Sequence, residues 1–76
     1  MDVELIKDNL EIIRMYLGIN LETFSLLGGR SASYYRTKIG EDKLPDLDFI
    51  YKISVTANVN MSDIIGKKLK LSIEVL

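Results

Sequence analysis

Val3, Ile6, Leu10, Ile13 and Leu17 stand three or four residues apart, with Lys7, Asp8, Glu11 and Arg14 between them. That period gathers the apolar side chains on one stripe and predicts a helix over 3–17. Gly18 follows, where glycine stops a helix in the left-handed conformation at little cost. Asn20 predicts an N-cap for a second helix, 21–27, with Leu21, Phe24 and Leu27 facing inward, and Gly28-Gly29 ends it. Ser31 predicts the cap of a third helix, 32–39, whose apolar positions are Ala32, Tyr35 and Ile39. After the turn GEDKLP, Asp46 predicts the cap of a fourth helix over 47–57, buried through Leu47, Ile50, Ile53 and Ser54. Asn60, with Asp63 three residues on, predicts a short fifth helix, 61–66, ended by Gly66.

Beyond Gly66 the period changes. Leu69, Leu71, Ile73 and Val75 alternate with Lys68, Lys70, Ser72 and Glu74, the pattern of a half-buried strand. No other segment reads as a strand, so two arrangements remain open. The tail pairs with the same strand of a second copy across a two-fold axis, making these four residues a dimerisation element. Alternatively, it is an irregular terminus lying across the helical core. The expected organisation is all-α, with one unit at 1–66 and a strand-like tail at 67–76.

The 76 residues include 47 % apolar ones, enough for a packed core and too many for a disordered segment. There is no cysteine and no histidine, which excludes disulfides and thiolate or imidazole metal sites; no metal or cofactor is expected. No apolar run is long enough to span a bilayer, and the acidic start MDVELIKDNL is unlike a signal peptide, so a cytoplasmic protein is expected. An enzyme is not expected. The usual proton shuttles and thiol nucleophiles are missing, and the Asp46/Asp48 pair is explained by capping and the helix dipole.

Net charge is −1 and the sequence pI is about 5.3, so the chain lacks a general cationic footprint. Its distribution is uneven. Positive charge gathers at 25–43, through Arg30, Arg36, Lys38 and Lys43, and again in the tail. The stretch Ile19 to Pro45 thus combines a short helix, a glycine turn and a second short helix carrying the local excess of positive charge. That is the sequence form of a helix-turn-helix, which places its second helix in the major groove of DNA.

From Asn9 to about Gly66 the chain resembles the lambda-repressor-like (Cro/C1-type, or XRE) helix-turn-helix family. The matching features run in order: NLEIIRMYLGIN, the spacing from Phe24 and Ser25 to Gly29, and Ser31 as a cap. They continue with Pro45-Asp46-Leu47 opening the fourth helix and close with ANVNMSDIIG. The resemblance implies a five-helix fold and a DNA-binding transcriptional regulator, expected to be a repressor and a homodimer on double-stranded DNA. It makes Ser25 the small residue that lets the two motif helices approach, and Tyr35 the core anchor of the recognition helix. It assigns Ala32, Ser33, Tyr34 and Thr37 to base edges, with Arg36 and Lys38 flanking them and Lys43 in a backbone-contacting loop. Arg30 and the Ser31 helix start would add phosphate contacts.

Three positions depart from the family pattern. Leu21 replaces a phosphate-contacting glutamine, Gly40 replaces an asparagine that often touches the backbone, and Asp42 adds a negative charge to a usually basic loop. Weaker, more salt-sensitive DNA binding is the expected consequence. The same departures favour an alternative, a protein-interaction module that keeps the scaffold and has lost DNA, with Leu21 beside Tyr34 in an apolar contact patch. The plain readings of the site residues also stand: Tyr34 as a surface aromatic, Arg36 and Lys38 as a solvated helix face, and the tail lysines as solubilising groups.

Overall fold

A computed structural model describes residues 2–71. It contains five helices and, among the described residues, no strand: α1 (Val3–Leu17), α2 (Leu21–Leu27), α3 (Tyr34–Gly40), α4 (Leu47–Ala57) and α5 (Met61–Gly66). No described helix is long and apolar enough to cross a membrane. Four helices occupy their predicted spans. The third begins two residues later than predicted and ends one later.

The helix starts follow their caps. Asp2, Asn20 and Asp46 each accept a hydrogen bond from the backbone N–H three residues on, at Leu5, Thr23 and Phe49. The ends of α1, α3 and α4 turn through a left-handed residue, Gly18, Asp42 and Asn58 respectively. After α3, Asp42 N–H donates to the Ile39 carbonyl and Lys43 N–H to Lys38, satisfying carbonyls that the helix leaves unpaired. Asn60 makes no side-chain cap; its carbonyl instead accepts from Asp63 and Ile64.

The core draws on every helix: Ile6, Leu10 and Ile13 from α1, Phe24 from α2, Tyr35 from α3, Phe49, Ile50 and Ile53 from α4, and Ile64 from α5. Of the residues predicted to face inward, Leu27, Ala32, Ile39 and Leu47 are exposed. Leu47 fails for a geometric reason: α4 buries the line through Phe49 and Ile53, and Leu47 lies instead on the line of Tyr51 and Val55. Gly28 allows α2 to end directly against this core. A Cβ there would fall 2.2 Å from the Phe49 ring, so any larger residue would drive the ring away.

The tail is tied to its own core, as far as it is described. Leu69 is 7 % exposed and Leu71 packs against the same cluster. The tie is Asn9, a fully buried side chain of α1. Its Nδ2 donates to the carbonyls of Ile64 and Lys67, both at 2.7 Å, and its Oδ1 accepts from Leu69 N–H at 3.0 Å. The strand-like tail is therefore not seen over residues 67–71, where the Lys67 carbonyl and the Leu69 N–H bond to Asn9. Leu69 and Leu71 pack inward; Ile73 and Val75, the other expected dimerisation residues, lie outside the described residues.

Asn9→Ala would leave one buried N–H and two carbonyls without their partner, at a cost of about 2–4 kcal/mol. Urea unfolding should show that loss, and hydrogen exchange should show the Leu69 amide losing protection; an unchanged midpoint would contradict this account of the tail.

Candidate nucleic-acid interface

The segment between α2 and α4 carries the predicted site, and its geometry starts at Ser25. This residue is buried on α2, where its Oγ donates to the Leu21 carbonyl at 2.9 Å and accepts from Tyr35 N–H at 2.9 Å. The first turn of α3 is therefore capped from the neighbouring helix. Ser31 does not serve as the predicted cap; its carbonyl accepts from Tyr34 N–H in a turn that precedes the helix. Ser33 takes the N-cap position without a side-chain hydrogen bond.

Tyr35 fixes the other side of α3. Its ring meets Phe24 edge-on at 4.7 Å and lies parallel to Phe49 at 5.9 Å. Its hydroxyl donates to Glu11 Oε2 at 2.7 Å. Glu11 in turn receives a two-pronged pair from Arg14, whose remaining Nη1 donates to the Ile19 carbonyl at 2.8 Å. One network thus joins α1, the turn before α2, and α3. Burial, and then the bond to Glu11, push the Tyr35 phenol far above its ordinary value, so it stays a donor. The Arg14 hydrogen bonds hold the Glu11 carboxyl below its ordinary value, with Tyr35 adding to the effect.

Tyr34, which the resemblance assigns to base edges, is half-buried. Its ring packs on Phe49 at 5.2 Å, and its hydroxyl accepts from Asp46 N–H at 3.0 Å. Arg30 and Lys38 each lie 5.4 Å from its ring centre. Arg30 is also committed: its Nη2 donates to Asp46 Oδ2 at 2.5 Å and stands 3.7 Å from Asp48. This pair holds the Asp46 carboxyl low, with the Phe49 N–H helping. Tyr34 and Arg30 thus anchor α3 and the preceding turn to the start of α4, a role that the sequence pattern did not reveal.

The other predicted residues come together on the outside. Ser31, Ala32, Ser33, Arg36 and Thr37 are exposed along one side of α3 and its approach, and Lys43 is exposed in the loop beyond. Lys38 is half-buried beside Tyr34. Ala32, Ser33 and Arg36 line a shallow hollow with Glu22 of α2, and the Arg36 guanidinium stands 3.7 Å from the Glu22 carboxylate. Both partners are well exposed, so this contact contributes little and is screened by salt. Asp42 pairs with Lys7 of α1, which offsets the negative charge the sequence placed in this loop. Leu21 is half-buried against the core.

No protein-family model, curated protein or solved structure matches this chain.

The Glu11 network predicts an acid limit to stability. A carboxyl with a lower folded than unfolded pKa stabilises the fold fully above its unfolded value of about 4.3. That stabilisation is lost as pH falls through the depressed folded value. Urea midpoints should be flat from neutral pH to about pH 5 and then fall. Glu11→Gln should cost about 1 kcal/mol at neutral pH and flatten the acid limb. An acid limb unchanged in this variant would show that the network does not set it.

Proposed function

We propose that this protein is a sequence-specific DNA-binding transcriptional regulator with a lambda-repressor-like fold, placing α3 in the major groove. One observation carries the reading: the division of α3 into two faces. Tyr34 and Tyr35 are engaged in packing and hydrogen bonds, while Ser33, Arg36 and Thr37 are exposed, with only the weak Arg36–Glu22 contact to another helix among the described residues. A helix of seven residues has little reason to keep its shape alone. Here it is held rigidly from behind, which suits a surface that must meet another molecule in one orientation.

The exposed side chains match groove chemistry. Arg36 is the one with bidentate geometry for a guanine edge, and exchanging Glu22 for that edge loses only a weak contact. Ser33 and Thr37 hydroxyls both donate and accept, and the Ala32 methyl group suits a thymine methyl. Lys43, with Lys38 beside the tyrosine ring, would meet phosphates; Arg30 also ties the turn before α3 to Asp46 of the α4 start. The reading area of one copy is small, in the range of ~600–1,000 Å² for single modules. Few phosphate-facing cations and an acidic chain argue for modest affinity with a shallow salt slope. A repressing sign is the expectation inherited from the family resemblance. The alternative of a protein-interaction module draws on Leu21, Gly40, Asp42 and the acidic balance; of these, Leu21 is half-buried against the core and offers little to a contact patch.

Fluorescence anisotropy on duplexes selected from a randomised pool tests this reading. Arg36→Ala should weaken the selected duplex by about 1–3 kcal/mol and relax its sequence preference. Lys43→Ala should weaken all duplexes alike and lower the salt slope by about 1. Failure of the pool to enrich at low salt, or full affinity in both variants, would refute it.

A further inference from the structure

A cleft of about 160 Å³ opens between α1, α3 and the loop that leads to α4. Its floor is apolar, made by the buried Leu10, Tyr35 and Pro45, with Ile39 along one side. An apolar cavity of ~150 Å³ holds one benzene ring, so this cleft has room for a single ring and little more. Around that floor stand Lys7, Lys38 and Lys43, together with Asp8 and Glu11.

Three of these five charges are already matched. Lys7 pairs with Asp42 and lies 3.5 Å from Glu4, and Asp8 stands 3.7 Å from Lys68. Both oxygens of Glu11 are engaged, one by Arg14 and the other by Arg14 and the Tyr35 hydroxyl, so none is offered to a cation. Lys38 and Lys43 form no ion pair among the described residues. Two uncompensated ammonium groups on flexible stems therefore stand beside an apolar hollow of one-ring size.

We propose that this cleft binds a small carboxylate with a single-ring apolar body, and that its occupancy weakens DNA binding. The ring lies on Leu10, Tyr35 and Pro45, and the carboxylate meets Lys38 and Lys43. The volume excludes a nucleotide, and an inorganic anion would gain nothing from the apolar floor. The effect on DNA rests on the α3 reading, in which the same two lysines meet phosphates. Ser33, Arg36 and Thr37 do not line the cleft, so a bound carboxylate competes for the two lysines and leaves the base-facing side chains alone. It should therefore weaken all duplexes alike and leave sequence preference intact.

Amide-resolved NMR of the full chain with sodium benzoate, without DNA, tests the site, and benzamide serves as the uncharged control of the same shape. Benzoate should shift the amides of Leu10, Glu11, Ile39 and Lys43, with a dissociation constant of about 1 mM, the range open to so small a ligand. Benzamide should bind at least about tenfold more weakly. Lys38→Gln and Lys43→Gln should each weaken benzoate by about threefold or more and leave benzamide unchanged, with the remaining amide spectrum verifying the fold. Absence of these shifts, benzamide binding as tightly as benzoate, or full benzoate affinity in both variants overturns the site. In the anisotropy measurement, saturating benzoate should weaken every duplex by about threefold or more relative to sodium chloride at equal concentration. Unchanged duplex affinity with benzoate bound overturns the coupling. The NMR arm contains no DNA, so its failure is distinct from that of the α3 reading, which the duplex selection without benzoate decides.

Discussion

The hydroxyl of Ser25 is the constraint on which the site depends. It is buried between α2 and α3, donating to the carbonyl one turn back and accepting the N–H that opens the next helix. A larger side chain would push the helices apart, and an alanine would leave the Tyr35 amide buried without a partner. Because the cap comes from another helix, the start of α3 is located relative to α2 rather than by its own sequence. That coupling sets which residues of α3 face outward.

The same device recurs through the molecule. α3 and α5 are too short to be stable alone, and each is fastened by a side chain reaching backbone groups elsewhere. Ser25 holds α3, Asn9 holds the end of α5 and the segment after it, and Asp46 joins the start of α4 to Tyr34 and Arg30. Around these ties sits a cluster of four rings, Phe24, Tyr34, Tyr35 and Phe49, contributed by three helices. Polar groups fix the positions, and the aromatic contacts supply the burial.

Helix spans were legible where local signals suffice. Period, caps and glycine stops act within a few residues, so α1, α2, α4 and α5 fall where those signals place them. The start of α3 was not legible, because Ser31 is as good a local cap as any and the actual one lies ten residues away in sequence. The packing roles of Tyr34 and Arg30 were hidden for a related reason. An aromatic and a cation beside a recognition helix read as contact residues, and only their distance to Phe49 and Asp46 reveals them as anchors. Asn9 carried no signal in the periodicity, since a buried amide and a solvated one occupy the same place in a pattern of polar positions. The tail alternates perfectly over eight residues, yet its first part is governed by Asn9. Alternation describes which side chains can share a face and does not decide whether a partner strand exists.

The central claim is that a rigidly held α3 presents its outer ridge to the DNA groove. The most direct test is an amide-resolved NMR titration with a generic duplex of 20 base pairs, at low and then moderate salt. Shifts confined to Ser31–Lys43 and the start of α2, fading as salt rises, are the predicted result. An absence of shifts at low salt, where even non-specific contacts register, would contradict it, as would shifts that map to the opposite side of the molecule.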